Sequence, residues 1–159
     1  MKKLSHLPPH SKLWIYQSNR ELADSEVAEI NLKSNHFISQ WNAHGSALDA
    51  AVEVFYNRFI VVAVDEQKAM ASGCSIDKSL DFIKMLESDY DIILLDRMSV
   101  AYKKDDKIYS CKLSELKSLF SEKIMDENTM VFNNLVATKK EFDEQWEVPL
   151  KDSWQQRYV

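Results

Sequence analysis

Ser72-Gly73-Cys74-Ser75 and His44-Gly45-Ser46 hold the residue types best able to do chemistry, and each contains one of the chain's two glycines. The first places a thiol, two hydroxyls and a glycine just ahead of a helical pattern. A helix start offers unpaired backbone N–H groups and the positive end of the helix dipole, which favour an anion. The same field draws a thiol toward its thiolate. Ser72, Gly73 and Ser75 are therefore candidate ligand-binding residues, and Cys74 is a candidate nucleophile or redox thiol. The plainer reading makes Ser75 an N-cap and Cys74 a small buried residue. His44 beside Gly45 suits a general base, with Gly45 and Ser46 in an anion-binding turn. Its plainer reading is a helix C-cap with Gly45 in the left-handed conformation. Were the two segments to share a pocket, His44 and Cys74 would be a base and its nucleophile.

Other patterns carry less. Ser75-Ile76-Asp77-Lys78 matches S-x-x-K, but no S-D-N or K-T-G accompanies it. Asp65 and Asp96 each close an apolar run, and in a split βαβ order those runs are antiparallel, so the carboxylates do not converge. His6 and His10 stand four apart across Pro8-Pro9, which forbids the helix that an i, i+4 metal pair needs. Cys111 alternates with Tyr109 and Leu113 on an apolar strand face and reads as core. Neither GxxxxGK[ST] nor GxGxxG can be built from glycines 28 positions apart. No metal site and no cofactor is expected.

The elements that must position these residues follow from periodicity. Leu13–Tyr16 reads as a first strand, and Asp24 or Ser25 opens a helix with Val27, Ile30, Phe37, Ile38 and Trp41 at helical spacing. Residues 50–57 alternate, whereas Phe59–Val64 is apolar on both faces and should be the central strand. Tyr56-Asn57-Arg58 is the turn between them. A helix carrying Ile76, Leu80, Ile83 and Leu86 follows, then the run Ile92–Leu95 as a further buried strand. Beyond it come a hairpin about Asp105-Asp106 (strands near 99–104 and 107–112), a helix with Leu116, Leu119 and Phe120, a strand near 130–136 and a helix opened by Thr138. The expectation is one α+β domain over residues 1–159 with a short N-terminal arm at 1–12. It has a largely antiparallel sheet with helices packed on it, and its first part is β-α-β-β-α-β (split βαβ, ferredoxin-like).

Composition narrows the function classes. The chain has 159 residues, 45% of them hydrophobic and 28% charged, ordinary globular values. A net charge of −5 argues against nucleic acid, whose phosphates need a basic surplus. Two cysteines 37 positions apart form neither a CxxC pair nor a secreted disulfide framework. The first residues lack the apolar run of a signal peptide, and the longest apolar stretch, Phe59–Val64, is too short for a membrane span. A soluble cytoplasmic protein is expected. The aromatic stretch Trp154–Tyr158 would suit a homodimer contact.

Trp14-Ile15-Tyr16-Gln17-Ser18-Asn19-Arg20, Trp41-Asn42-Ala43-His44-Gly45, Arg58-Phe59-Ile60-Val61, Ser72-Gly73-Cys74-Ser75-Ile76-Asp77, Val131-Phe132-Asn133-Asn134-Leu135-Val136 and Trp146-Glu147-Val148-Pro149 resemble a small bacterial family of uncharacterised single-domain proteins. That family often carries the label "ABC transporter ATPase". The label implies a nucleotide site, yet this chain has neither a Walker A motif nor an LSGGQ-like signature. The resemblance thus implies a single-domain cytoplasmic protein and supplies no catalytic residue. The lead expectation is a non-catalytic binding domain for a small anionic ligand or a protein partner at the helix start Ser72–Ser75. The alternative is a cysteine-dependent enzyme with Cys74 as nucleophile or redox thiol and His44 as base.

Overall fold

A computed structural model of the protein describes residues 3–43, 45–67 and 69–159. The fold is α+β, with antiparallel sheets and helices packed on them. By its internal contacts the chain divides into two compact units, Met1–Leu95 with Ala137–Lys140 and Asp96–Val136 with Glu141–Val159.

In the first unit β1 (Lys12–Gln17) leads to α1 (Asp24–Gln40), then a small hairpin of β2 (Asn42–Ala43) and β3 (Ser46–Ala47). β4 (Asp49–Phe55), β5 (Phe59–Asp65) and α2 (Gly73–Tyr90) follow. β5 lies between β1 and β4 and antiparallel to both, with Val62 opposite Trp14 on one side and Val52 on the other. All of β5 is buried, as its unbroken apolar run predicts for a strand covered on both faces. Val52, Ile60, Val62 and Val64 share a core with Ile30 of α1 and with Phe82, Ile83 and Leu86 of α2. The β4–β5 connection is closed by Arg58 N–H donating to the Phe55 carbonyl at 3.0 Å. Tyr56 and Asn57 there take φ of 55° and 51°, the primed turn whose twist matches the strands.

The cap of α1 falls one residue before the expected Asp24 or Ser25. Ala23 occupies it, and its N–H donates to Glu26 Oε1 at 2.9 Å. Asp24 instead accepts from Asn57 Nδ2 at 2.8 Å. Arg20 fixes the Glu26 carboxylate with two bonds of 2.9 and 2.8 Å and donates to the Tyr90 carbonyl at 2.8 Å. That ties the beginning of α1 to the end of α2. Further along, Lys33 Nζ meets Asp89 Oδ2 at 2.9 Å and the rings of Phe37 and Phe82 stack at 4.6 Å. Trp41 Nε1 then donates to the Ser75 carbonyl at 2.8 Å. The contacts run in opposite order along the two helices, so α1 and α2 lie side by side and antiparallel.

Ile92–Leu95 does not form the expected strand; these residues take no ladder partner. Asn19 exchanges two bonds with Ile93, of 3.1 and 2.9 Å, and Glu87 Oε2 accepts the N–H groups of Leu94 and Leu95. A residue's backbone and two side chains thus meet the obligations that a neighbouring strand would have met. Ile93 is 51% exposed, so the run is not covered on both faces.

In the second unit β6 (Ser99–Lys104) and β7 (Lys107–Lys112) form the expected hairpin, with Asp105 and Asp106 at φ of 53° and 63°. After α3 (Leu116–Ser121), β8 (Met130–Phe132), α4 (Lys139–Gln145, its first two residues counted with the first unit) and β9 (Glu147–Pro149), the sheet order is β7-β6-β8-β9. The expected strand near 130–136 ends at Phe132. Leu116, Met125, Val131 and Leu150 fill the core, and Lys103 of β6 pairs with Glu147 of β9, two strands away in the sheet.

Candidate functional site

Ser72, three residues ahead of the expected Ser75, is the N-cap of α2. Its Oγ accepts from Ser75 N–H at 3.1 Å, while Ser75 Oγ accepts from Ser72 N–H at 2.6 Å and donates to the Ser72 carbonyl at 2.8 Å. The two serines form a reciprocal capping box. Ser75 is 1% exposed, so its hydroxyl serves the helix and is closed to a Lys78-activated nucleophile role. Gly73 is the first residue of the helix and has no positive φ. A Cβ there would meet nothing within 4 Å, so neither strain nor crowding requires glycine. Cys74 is exposed at the second helical position.

Gly45 does take the left-handed conformation, at φ +82°. It sits in the β2–β3 turn and not at the end of α1, where Trp41 is the C-cap with extended backbone. Ser46 is exposed in β3, opposite Ala43. β2 packs against α2. His44, and with it the pairing of His44 with Cys74, lies outside the described residues. Cys111 is half-buried against the apolar cluster of the second unit rather than within it, and Tyr109 on the same strand is 43% exposed, so the face expected as core is only partly covered. His6 Nδ1 accepts from Lys3 N–H, and His10 Nε2 lies 3.0 Å from Asp65 Oδ1. Asp96 accepts from Met98 N–H. Among the described residues no three His, Cys, Asp or Glu side chains gather to hold a metal, and no helix is long and apolar enough to cross a membrane.

The feature missing from the sequence reading is a groove of about 770 Å³ between α1 and α2, within the usual range of small-molecule sites. Phe37, Trp41 and Phe82 form its aromatic floor, with the Phe37 and Trp41 rings 5.1 Å apart and Phe37 stacked on Phe82. Leu32 and Met85 flank it, 72% and 40% exposed. Its polar lining is Lys33, His36 and Gln40 from α1 with Lys78 and Asp81 from α2.

The antiparallel helices give the groove two unlike ends. At one, Lys33 is held between Asp89 and the Tyr90 ring, with its ammonium 4.6 Å from the ring centroid. Tyr90 first and Asp89 second raise its pKa. At the other, Gln40 and the exposed Lys78 flank Trp41, whose indole is anchored on the first turn of α2.

The groove escaped the sequence reading because its floor obeys the rule for core residues. Phe37 and Trp41 fall on the apolar stripe of α1. The available signal was the pair of apolar residues off the stripes, Leu32 and Met85, for which the fold has no buried place. In comparisons with models of known protein families, with curated proteins and with solved structures, the chain matches none.

Proposed function

We propose that the protein is a cytoplasmic, non-catalytic binding domain whose ligand, a small amphipathic anion, lies in the groove between α1 and α2. The observation that carries this reading is the groove itself, lined by Phe37, Trp41 and Phe82 and flanked by two exposed apolar side chains. Exposed apolar groups gathered on one concave surface mark a binding site far more often than scattered ones do. Lys78 on the rim supplies the positive charge, and His36 lines the same groove. The reading keeps the anionic ligand expected at the start of α2 and moves it one turn along the helix, because the Ser72 and Ser75 hydroxyls bond each other. Two thiols outside any disulfide support the cytoplasmic assignment.

The test uses 8-anilinonaphthalene-1-sulfonate, an aromatic anion that fluoresces when it leaves water. Wild type should enhance its fluorescence saturably. Leu32→Asp and Met85→Asp, both at exposed positions, should abolish the enhancement while leaving the melting temperature within a few degrees. Undiminished enhancement in both variants would remove the groove as the site. The cysteine-enzyme alternative draws on the exposure of Cys74 alone and would be favoured if Cys74→Ser abolished a turnover that Met85→Asp left intact.

A further inference from the structure

We infer that the groove selects an unbranched, medium-chain carboxylate, its head at Lys78 and Gln40 and its chain lying over Phe82 toward Met85. This rests on the groove being the binding site, and it follows from the groove's two unlike ends. Of the two lysines lining it, Lys33 is already neutralised by Asp89 at 2.9 Å. Lys78 is exposed and makes no ion pair among the described residues. The uncompensated cation therefore sits at the end where α1 finishes and α2 begins. Gln40 lines that same end and adds amide donors suited to a carboxylate. Asp81, one turn beyond Lys78, repels the head and so confines it to that end.

Length is set along α2. Lys78 to Met85 spans seven residues, about 10 Å of helix, and Lys78 to the Lys33–Asp89 pair spans eleven, about 16 Å, at 1.5 Å per residue. An extended hydrocarbon advances ~1.3 Å per carbon–carbon bond of about 1.5 Å. The apolar floor thus accommodates about eight to twelve carbons before a chain meets the Lys33–Asp89 ion pair. The stacked Phe37 and Phe82 rings line the groove beneath such a chain, and the exposed Met85 offers it an apolar side chain farther along.

Titration calorimetry of the full chain with sodium butanoate, hexanoate, octanoate, decanoate and tetradecanoate, each below its micellar concentration, tests this. Affinity should rise up to about fourfold per methylene through decanoate, the value for full burial of a CH₂ group, and then level off at tetradecanoate. Lys78→Ala should weaken decanoate about two- to fivefold, the range of an exposed ion pair, and leave decanol unchanged. Asp81→Asn should tighten decanoate.

Absence of heat with every carboxylate, with decanol and with decylammonium overturns the groove as a binding site and this inference with it. Decanol or decylammonium binding as tightly as decanoate leaves the groove standing and overturns the carboxylate. Affinity that continues to climb at tetradecanoate, or that appears only with anionic lipid vesicles, overturns the length limit in favour of a lipid surface. A wild type that sediments as a dimer and a Met85→Asp variant that sediments as a monomer would show that a second copy covers the groove, and would also overturn the inference.

Discussion

Burial separates the two thiols. Cys111, against the apolar cluster of the second unit, has its thiol pushed up to about 11, by burial first and by the nearby Glu115 second. At pH 8 only ~0.1% of such a thiol is thiolate, the form that reacts. Cys74 stands exposed at the start of α2. Brief iodoacetamide treatment at pH 8 should label Cys74 at least tenfold faster than Cys111, read by mass spectrometry of the two peptides. Labelling at equal rates would mean that the strand holding Cys111 opens readily. This contrast was legible in the chain, because Cys111 alternates with apolar neighbours while Cys74 sits in a run of small residues beside glycine. The use of Ser72 and Ser75 was legible only in part. Either serine can cap a helix, and the reciprocal box needs both, which the spacing of three allows but does not demand.

Among the elements, α1 and α2 are joined by a charged clamp at the far end of their pairing. The Arg20 guanidinium, by its direct bonds, and the Ala23 N–H hold the Glu26 carboxyl at about 2, well below its ordinary 4.5. A depressed carboxyl stabilises the folded state in full above its unfolded value, and that contribution is lost as pH falls through the folded value. Urea midpoints should therefore fall more steeply between pH 4.5 and pH 2 in wild type than in Glu26→Gln, whose lower stability at neutral pH should nearly meet wild type at pH 2. Parallel curves would show that the clamp contributes nothing. Arg20 and Glu26 are six apart and partly exposed, so nothing in their spacing announces the pair. The hairpins were easier to read. Tyr56-Asn57 and Asp105-Asp106 each fall between strand-like runs, and both pairs take the left-handed backbone that such turns need. Ile92–Leu95 misled because only Ile92 and Leu94 turn inward, and an apolar run does not say which groups will satisfy its backbone. β9 is three residues long and ends in Pro149, too little for any periodicity to register.

For the molecule as a whole, two glycines 28 positions apart cannot build the glycine-repeat phosphate loops GxxxxGK[ST] or GxGxxG, whatever label the resembling family carries. Mg-ATP should leave the melting temperature unchanged. A ligand present at 100 times its dissociation constant adds roughly 2.7 kcal/mol, a shift that no melting experiment would miss, and a reproducible rise would refute the claim. Decanoate in the same assay supplies the contrast. The α+β class and nearly all the helices could be read from the chain because each has one apolar face. The groove depends instead on how two such faces meet, and that distance is written in no single segment.

Residues 137–140 lie far along the chain and yet belong to the first unit. There the Ala137 carbonyl accepts from Leu13 N–H at 3.0 Å, and Lys139 and Lys140 donate to the carbonyls of Ser11 and Pro9 at 2.9 Å each. A nascent chain that has reached Leu95 therefore already contains all of β1, β4 and β5 but not the segment that meets the first residues of β1 along its free side. Until some forty further residues have been added, that side presents unmet N–H and C=O groups, the template for sticking to a neighbouring chain on the same messenger. Lys12 at the head of β1 places a charge on that border, and charged residues on a bare sheet border are a common means of discouraging such pairing during synthesis.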